Sequence, residues 1–392
     1  MGMSEALPSS DQQPVEDAER HANYLELFVD LVFVFAVTQL ASLASHDTSA
    51  AGVGRAFLIA ALVWWQWSQY TWAGSAVDLQ RGPVTRVLVL CTVPATLTMA
   101  AAIPEAFQET GRWFGAAYLV VQFLVLGMQG AEALRHESSR GAFVRYASVA
   151  SIAPVAVVAG SFAAGNARVS VWVAAVVLNI IGAVRAAAGE WSINPGHFAE
   201  RHALFVIISL GEALVAIGAA ATESALTGRI LAGLVAASAL ACVLWWTYFA
   251  YIPNVVEDEL RRSVGPQRGR RARDLFTFGH FPIVAGIVLF AVVMKHMVPD
   301  PMASLPTADR VLLALAIALV VGGYLHMQWR IARFLARERL VIIAVVAGWA
   351  AVAGEVAGVV TVAVVAVLVA GMQTVTWRRF RRGALAHITT NR

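Results

Sequence analysis

The sequence predicts an all-α polytopic membrane protein of about twelve transmembrane helices, arranged as two parallel six-helix repeats. Three observations lead there. Of the 392 residues, 59% are hydrophobic and 14% are charged, against about 25% charged in soluble domains. Apolar runs of roughly membrane length, about 20 residues, recur from one end to the other, and mean hydropathy is +0.67. The tripeptide Glu-Arg-His stands at residues 19–21 and again at 200–202, each time at the foot of such a run.

The runs predict helices over 22–43, 56–74, 87–103, 113–131, 142–163 and 169–185, and then over 202–221, 230–252, 275–295, 310–328, 340–354 and 356–377. The sixth and eleventh are short, and "AGEVAG" is nearly all that separates the last two. Arginine placement supports the count. With a cytoplasmic start, Arg55, Arg112, Arg168, Arg229, Lys295 and Arg310 fall on one side, and the other 23 of the 29 basic residues fall opposite. Positive charge collects on the cytoplasmic face of membrane proteins. Merging the last two helices would send "RRFRR" outside. A bacterial inner-membrane protein with both termini in the cytoplasm is therefore expected, and its basic loops read as topology rather than nucleic-acid recognition.

Four regions follow. Residues 1–20 are polar and form a disordered cytoplasmic tail without the basic n-region of a signal peptide. Residues 21–190 form the first six-helix repeat, 191–378 the second, and 379–392 a basic cytoplasmic tail. The repeat rests on one offset of 181 residues. It relates the two Glu-Arg-His copies, Trp64-Trp65 to Trp245-Trp246, Tyr70 to Tyr251, Leu79 to Leu260 and Arg81 to Arg262. Six spans lie between the copies, so both halves enter from the same side, as in transporters built from parallel repeats.

The stretches "ERHANYLELFVDLVFVFAVTQLA" and "NPGHFAERHALFVIISLGEALVAIG" resemble the bacterial low-temperature-requirement A family, LtrA. The resemblance covers essentially the whole chain, and its signature falls on Glu26, Asp30, Glu200, Arg201, Gly211 and Glu212. It implies a polytopic inner-membrane protein associated with growth at low temperature.

Acidic residues inside apolar runs carry the functional reading. Aligning the two motif helices with one residue of slip places Asp30 opposite Glu212, each about 14 Å into a core about 30 Å thick. Glu26 lies one turn closer to the cytoplasm. Ionisable groups at such depth are costly and face a partner or a wet cavity. The sequence therefore predicts a transporter or channel-like permease in which Glu26, Asp30 and Glu212 bind an ion or exchange protons. Hydrogen-bonded helix glue is the competing reading. Cross-pairing of Glu19 with Arg201, and of Glu200 with Arg20, would form a cytoplasmic gate flanked by His21 and His202, unless these are solvated surface pairs. Trp64, Trp65, Gln66, Gln69, Trp245 and Trp246 would line the pathway or serve as packing, and Gly211 would let a neighbouring helix approach.

Other classes are less supported. The chain contains no HExxH, paired CxxC, GxSxG, Walker or dinucleotide motif. No metal or cofactor is expected, and Cys91 and Cys242 read as buried apolar residues. An intramembrane enzyme using a carboxylate with His280 or His326 on a lipid-type substrate is the alternative, and a non-transporting sensor or scaffold is a third. The expected partners are the bilayer and a small solute or ion; residue types alone fix neither that solute nor an oligomeric state.

Overall fold

The computed structural model describes residues 21–76, 82–133, 137–186, 191, 193–222 and 225–381. Helix order follows local chemistry. α1 (Tyr24–His46) starts from a capping box: Asn23 Oδ1 accepts the Glu26 N–H, and Glu26 returns a carboxylate to the Asn23 N–H. α2 is Ala50–Ala76, and α3 (Pro83–Ala101) places Pro83 where no amide donor is needed. α4 is Gly111–Ala133. The expected span over 142–163 is two helices, α5 (Glu137–Ala150) and α6 (Ile152–Ser161). Pro154 accounts for the break, because its ring collides with the carbonyl four residues back, at Ala150. α7 is Gly165–Ala186.

The second half opens with α8 (Pro195–Thr222), seven residues earlier than the apolar run implies. Asn194 Oδ1 caps it by accepting the His197 N–H at 3.1 Å. α9 (Gly228–Phe249) is capped by Thr227. The basic stretch expected as a loop is helical. α10 (Ile252–Arg262) buries Ile252, Val256 and Leu260 and turns its charges outward, as an interfacial amphipathic helix does. α11 (Pro266–Arg271) runs into a π-helical segment, Ala272–Phe278, and on into α12 (Gly279–Met297). Pro282 offers no amide to the carbonyl of Phe278, and the widened turn absorbs that loss. α13 is Thr307–Ala332 and ends on Arg333, whose φ of 58° closes the helix. α14 (Arg337–Val352), a 3₁₀ turn at Ala353–Glu355 and α15 (Gly358–Arg381) complete the chain. The "AGEVAG" segment does separate two helices.

Ten of these segments are long and apolar enough to cross a membrane, so among the described residues this is an all-helical, multi-pass architecture. α2 and α14 stand outside that set. Tryptophan and glutamine lower the hydropathy of α2, and α14 has only 16 residues. Exposed Val, Leu and Ile side chains cover the outer faces of α3, α7 and α14, where lipid is the natural contact.

The segment Pro266–Met297 is central: 83% of its most apolar stretch is buried, against 28–56% for the others. It packs chiefly on α13, α8 and α1. A Cβ at Gly286 would meet Ala316 O at 2.6 Å and Val320 N at 3.1 Å, and one at Gly323 would meet Gly279 O at 2.9 Å. Those glycines set the α12–α13 distance. Gly211 does not act this way: it is exposed, and a Cβ there would meet nothing within 4 Å. The main apolar clusters follow the two halves. One draws on residues 193–372 with Ala44, Val53 and Ala56, and the other on 29–175 with Phe205, Val284 and Val288.

Candidate functional site

Where α1 meets α8, charged side chains are shut away from solvent. Glu26, Asp30, His197 and Arg201 are all 0% exposed. Glu26 and Asp30 are one turn apart on α1, and His197 and Arg201 are one turn apart on α8, so each pair shares a helix face. His197 Nε2 lies 2.9 Å from Glu26 Oε2. Arg201 reaches both acids, with Nη2 2.6 Å from Asp30 Oδ1 and Nη1 3.5 Å from Glu26 Oε1. Trp67 Nε1 of α2 donates to the same Asp30 oxygen at 2.9 Å. The guanidinium also lies 5.5 Å from the centre of the Tyr70 ring.

The charge count of this cluster has a chemical consequence. Two carboxylates and one guanidinium leave one negative charge in excess. Burying an uncompensated charge costs several kcal/mol, so the cluster is neutral when its two carboxylates hold one further proton between them. Asp30 Oδ2 and His197 Nδ1 have no hydrogen-bond partner among the described residues. A proton on Asp30 Oδ2 would displace no hydrogen bond of that oxygen.

Beyond Arg201 the polar groups continue among aromatic rings. His202 Nδ1 lies 2.8 Å from the Phe198 carbonyl, and its ring is 4.9 Å from Trp67 and 5.0 Å from His280. His280 bonds Tyr248 Oη through Nε2 at 2.7 Å and the Leu275 carbonyl through Nδ1 at 3.1 Å. A ring N–H at Nδ1 fits that carbonyl, which leaves Nε2 to accept from the tyrosine.

α2 stands between this cluster and a cavity. Trp67 and Tyr70 face the acids, whereas Gln69 and Trp72 line a small cavity of about 30 Å³ with Gln129, Tyr146, Arg273 and Thr277. Gln129 Nε2 donates to the Gln69 carbonyl at 3.1 Å. Thr277 of the π-helical turn holds α2 in place, accepting from Trp64 Nε1 at 2.7 Å and Trp72 Nε1 at 3.0 Å. Gln66 is buried and donates to the Tyr118 carbonyl. Trp65 packs with Leu126 and Tyr146.

Several sequence expectations are corrected here. Asp30 and Glu212 do not meet. Glu212 is half-buried and accepts from Thr38 Oγ1, eight residues or about 12 Å further along α1 than Asp30. The early start of α8 is the reason: it carries Arg201 inward, and the guanidinium takes the place opposite Asp30 that the alignment assigned to Glu212. Arg201 and His202 are therefore buried and not part of a cytoplasmic rim. At the rim, Glu200 Oε2 accepts the Ala22 N–H at 2.8 Å and lies 3.4 Å from His21 Nδ1. Glu19 and Arg20, the rest of the expected gate, lie outside the described residues.

Neither tryptophan pair lines the cavity, nor does Gln66; of the six residues expected along a pathway, only Gln69 borders it. Trp245 is 48% exposed and stacks on Phe249, while Trp246 is half-buried and its carbonyl accepts from Gln373. His326 bonds the Asp274 carbonyl and His296 bonds Asp309. Among the described residues no three His, Cys, Asp or Glu side chains could together hold a metal ion. His197 escaped sequence reasoning, although its position four residues before Arg201 put both on one face.

Arg168 is another case. The sequence assigns it to the outer side as a loop charge, yet it is buried and donates to the carbonyls of Ala106, Gln108, Ser161 and Ala163, tying the segment after α3 to the end of α6.

The family model described as bacterial low temperature requirement A protein matches residues 21–373 of this sequence. An uncharacterized protein of Rhizobium meliloti (strain 1021) is 35% identical over 283 residues, covering 69% of this chain and 68% of that protein. No solved structure matches the chain.

Proposed function

The chain belongs to the bacterial low temperature requirement A family, and from that premise we propose that it is an inner-membrane permease coupled to protons through the Glu26–Asp30–Arg201–His197 cluster. The carrying observation is the fully buried Arg201 shared between two carboxylates, which leaves one charge for a proton to neutralise. Protonation would loosen the grip of Arg201 on Asp30 and so bias the α1–α8 contact between two arrangements. Buried charge networks of this kind mark proton relays in transport proteins.

The rest of the reading builds on the seam. We take α2 and α14 as two further spans, giving twelve, with residues 21–190 and 191–378 as parallel repeats. The contacts Glu26–His197, Asp30–Arg201 and Thr38–Glu212 advance together along both helices, as two parallel helices require, and the split of the apolar clusters supports two bundles. Thr38 and Glu212 continue the polar path toward the outer face. The small cavity bordered by Gln69 and Trp72 lies one helix away from the proton site, and a solute path there would require it to widen. Both termini are assigned to the cytoplasm by the arginine distribution.

Proton flux into liposomes containing the purified protein, followed with an enclosed pH dye, tests this reading. The wild type acidifies the lumen faster than protein-free liposomes. Asp30→Asn and Glu26→Gln lower that rate at least tenfold, and Asp309→Asn, at the other end of the molecule, leaves it within about twofold, a tenfold loss being about 1.4 kcal/mol in barrier height. Flux equal to protein-free liposomes would make the cluster a structural clamp and the protein a scaffold, and flux above that level but unchanged in both cluster variants would put the proton path elsewhere.

A further inference from the structure

A second feature lies apart from the proton cluster, where α10, the end of α13 and the start of α14 border a cleft of about 170 Å³. Ile252, Val255, Val256, Met327 and Ile331 give it apolar walls. At its inner end sits Arg339, 4% exposed. One guanidinium nitrogen donates to Tyr251 Oη, and the group lies over the rings of Tyr251 and Tyr324 at 5.8 and 5.6 Å. No carboxylate among the described residues pairs with it.

The acids nearby are already engaged. Glu257 pairs with Arg261, Asp258 with Arg262, Glu259 with Arg271, and Asp274 with Arg273 and Arg330. On α14 itself, Glu338 pairs with Arg379. Arg339 is thus a buried cation without a counter-charge, and it stands in the first turn of a helix, where the backbone dipole is also positive. The tyrosine rings offset part of that cost. An anion would complete the site.

We propose that this cleft binds an anionic membrane lipid, with the head-group phosphate on Arg339 and an acyl chain along Ile252, Val256 and Ile331. Three observations favour a lipid over a free anion. The wall surface is mainly apolar, although Asn254, Asp258, Glu259, Arg262 and Gln328 also border it, and the cleft is larger than a phosphate group. α10 has the amphipathic pattern of a helix lying at the membrane surface. Basic pockets between spans on the cytoplasmic side take acidic head groups in the same way. The inference stands independently of proton coupling.

The test uses the full-length protein in uncharged detergent, with phosphatidylglycerol, phosphatidylcholine of the same chains, and inorganic phosphate as separate probes. Native mass spectrometry reads retention, and the melting temperature reads stabilisation of the folded state by the bound probe. Phosphatidylglycerol is retained and raises the melting temperature; phosphatidylcholine and phosphate do neither. Arg339→Gln weakens phosphatidylglycerol binding at least tenfold. Ile331→Trp fills the apolar part of the cleft while leaving Arg339 in place, and also lowers retention, so the inference does not depend on one variant folding. Equal retention of the two lipids, phosphate alone stabilising as well as the lipid, or unchanged binding in both variants would overturn it.

Discussion

Replacing Arg201 with glutamine destabilises the folded protein by about 3–5 kcal/mol, the cost of leaving a buried charge without its partner. Glu26 and Asp30 are both fully buried, and Arg201 is the one guanidinium between them among the described residues. Its loss turns a cluster that is one proton from neutral into one that is two protons from neutral. His197 meets only one of the two acids, because its ring reaches Glu26 and not Asp30. Detergent-denaturant titration followed by circular dichroism measures the loss. The sharper form of the prediction is rescue. Adding Asp30→Asn and Glu26→Gln to Arg201→Gln removes the stranded charges and recovers more than half of the stability, since neutral groups in place of a buried ion network often cost little. A triple variant less stable than the single one would mean that the cluster holds the helices together by something other than charge compensation.

The second large effect lies in the packing. Gly286→Leu forces α12 and α13 apart, because a Cβ at that point meets Ala316 O at 2.6 Å and Val320 N at 3.1 Å. Both are backbone atoms of a helix, which cannot turn aside as a flexible side chain can. Overpacking of this kind costs about 1–3 kcal/mol, and more where the backbone itself must move. The consequence reaches the site, since α12 carries His280 and continues from the π-helical turn whose Thr277 anchors three side chains of α2. Gly211→Ala is the matched comparison: it meets no neighbour within 4 Å, and the gain in helix propensity of up to about 1 kcal/mol is all that is expected. Equal destabilisation by the two substitutions would contradict the assignment of the close helix contact to Gly286.

Much of the fold could be read from residues because the bilayer imposes a simple rule, that a span is a long apolar helix. The break at Pro154 and the turn at "AGEVAG" follow from the same local chemistry. Burial was legible too: Glu26 and Asp30 are shut away from solvent in the helix that the apolar run predicted. Their partners were not. Aligning the two halves sets like residues side by side, but packed parallel helices meet at whatever register their termini allow. The cap at Asn194 and Pro195 lengthens α8, so contacts join residues 171 apart and not the 181 of the sequence match. Counting arginines by side also treats each as a loop charge. Arg168 and Arg339 are buried, one on carbonyls and one over tyrosine rings, and no tally of loop charge can reveal a side chain that folds inward.

An infrared titration of the carboxyl C=O stretch in the folded, membrane-reconstituted protein bears most directly on the cluster. The account predicts one protonated-carboxyl band that comes and goes with pH, is lost or shifted in Asp30→Asn or Glu26→Gln, and persists in Asp309→Asn. A spectrum in which both buried acids stay ionised over the whole pH range of the folded protein would contradict it.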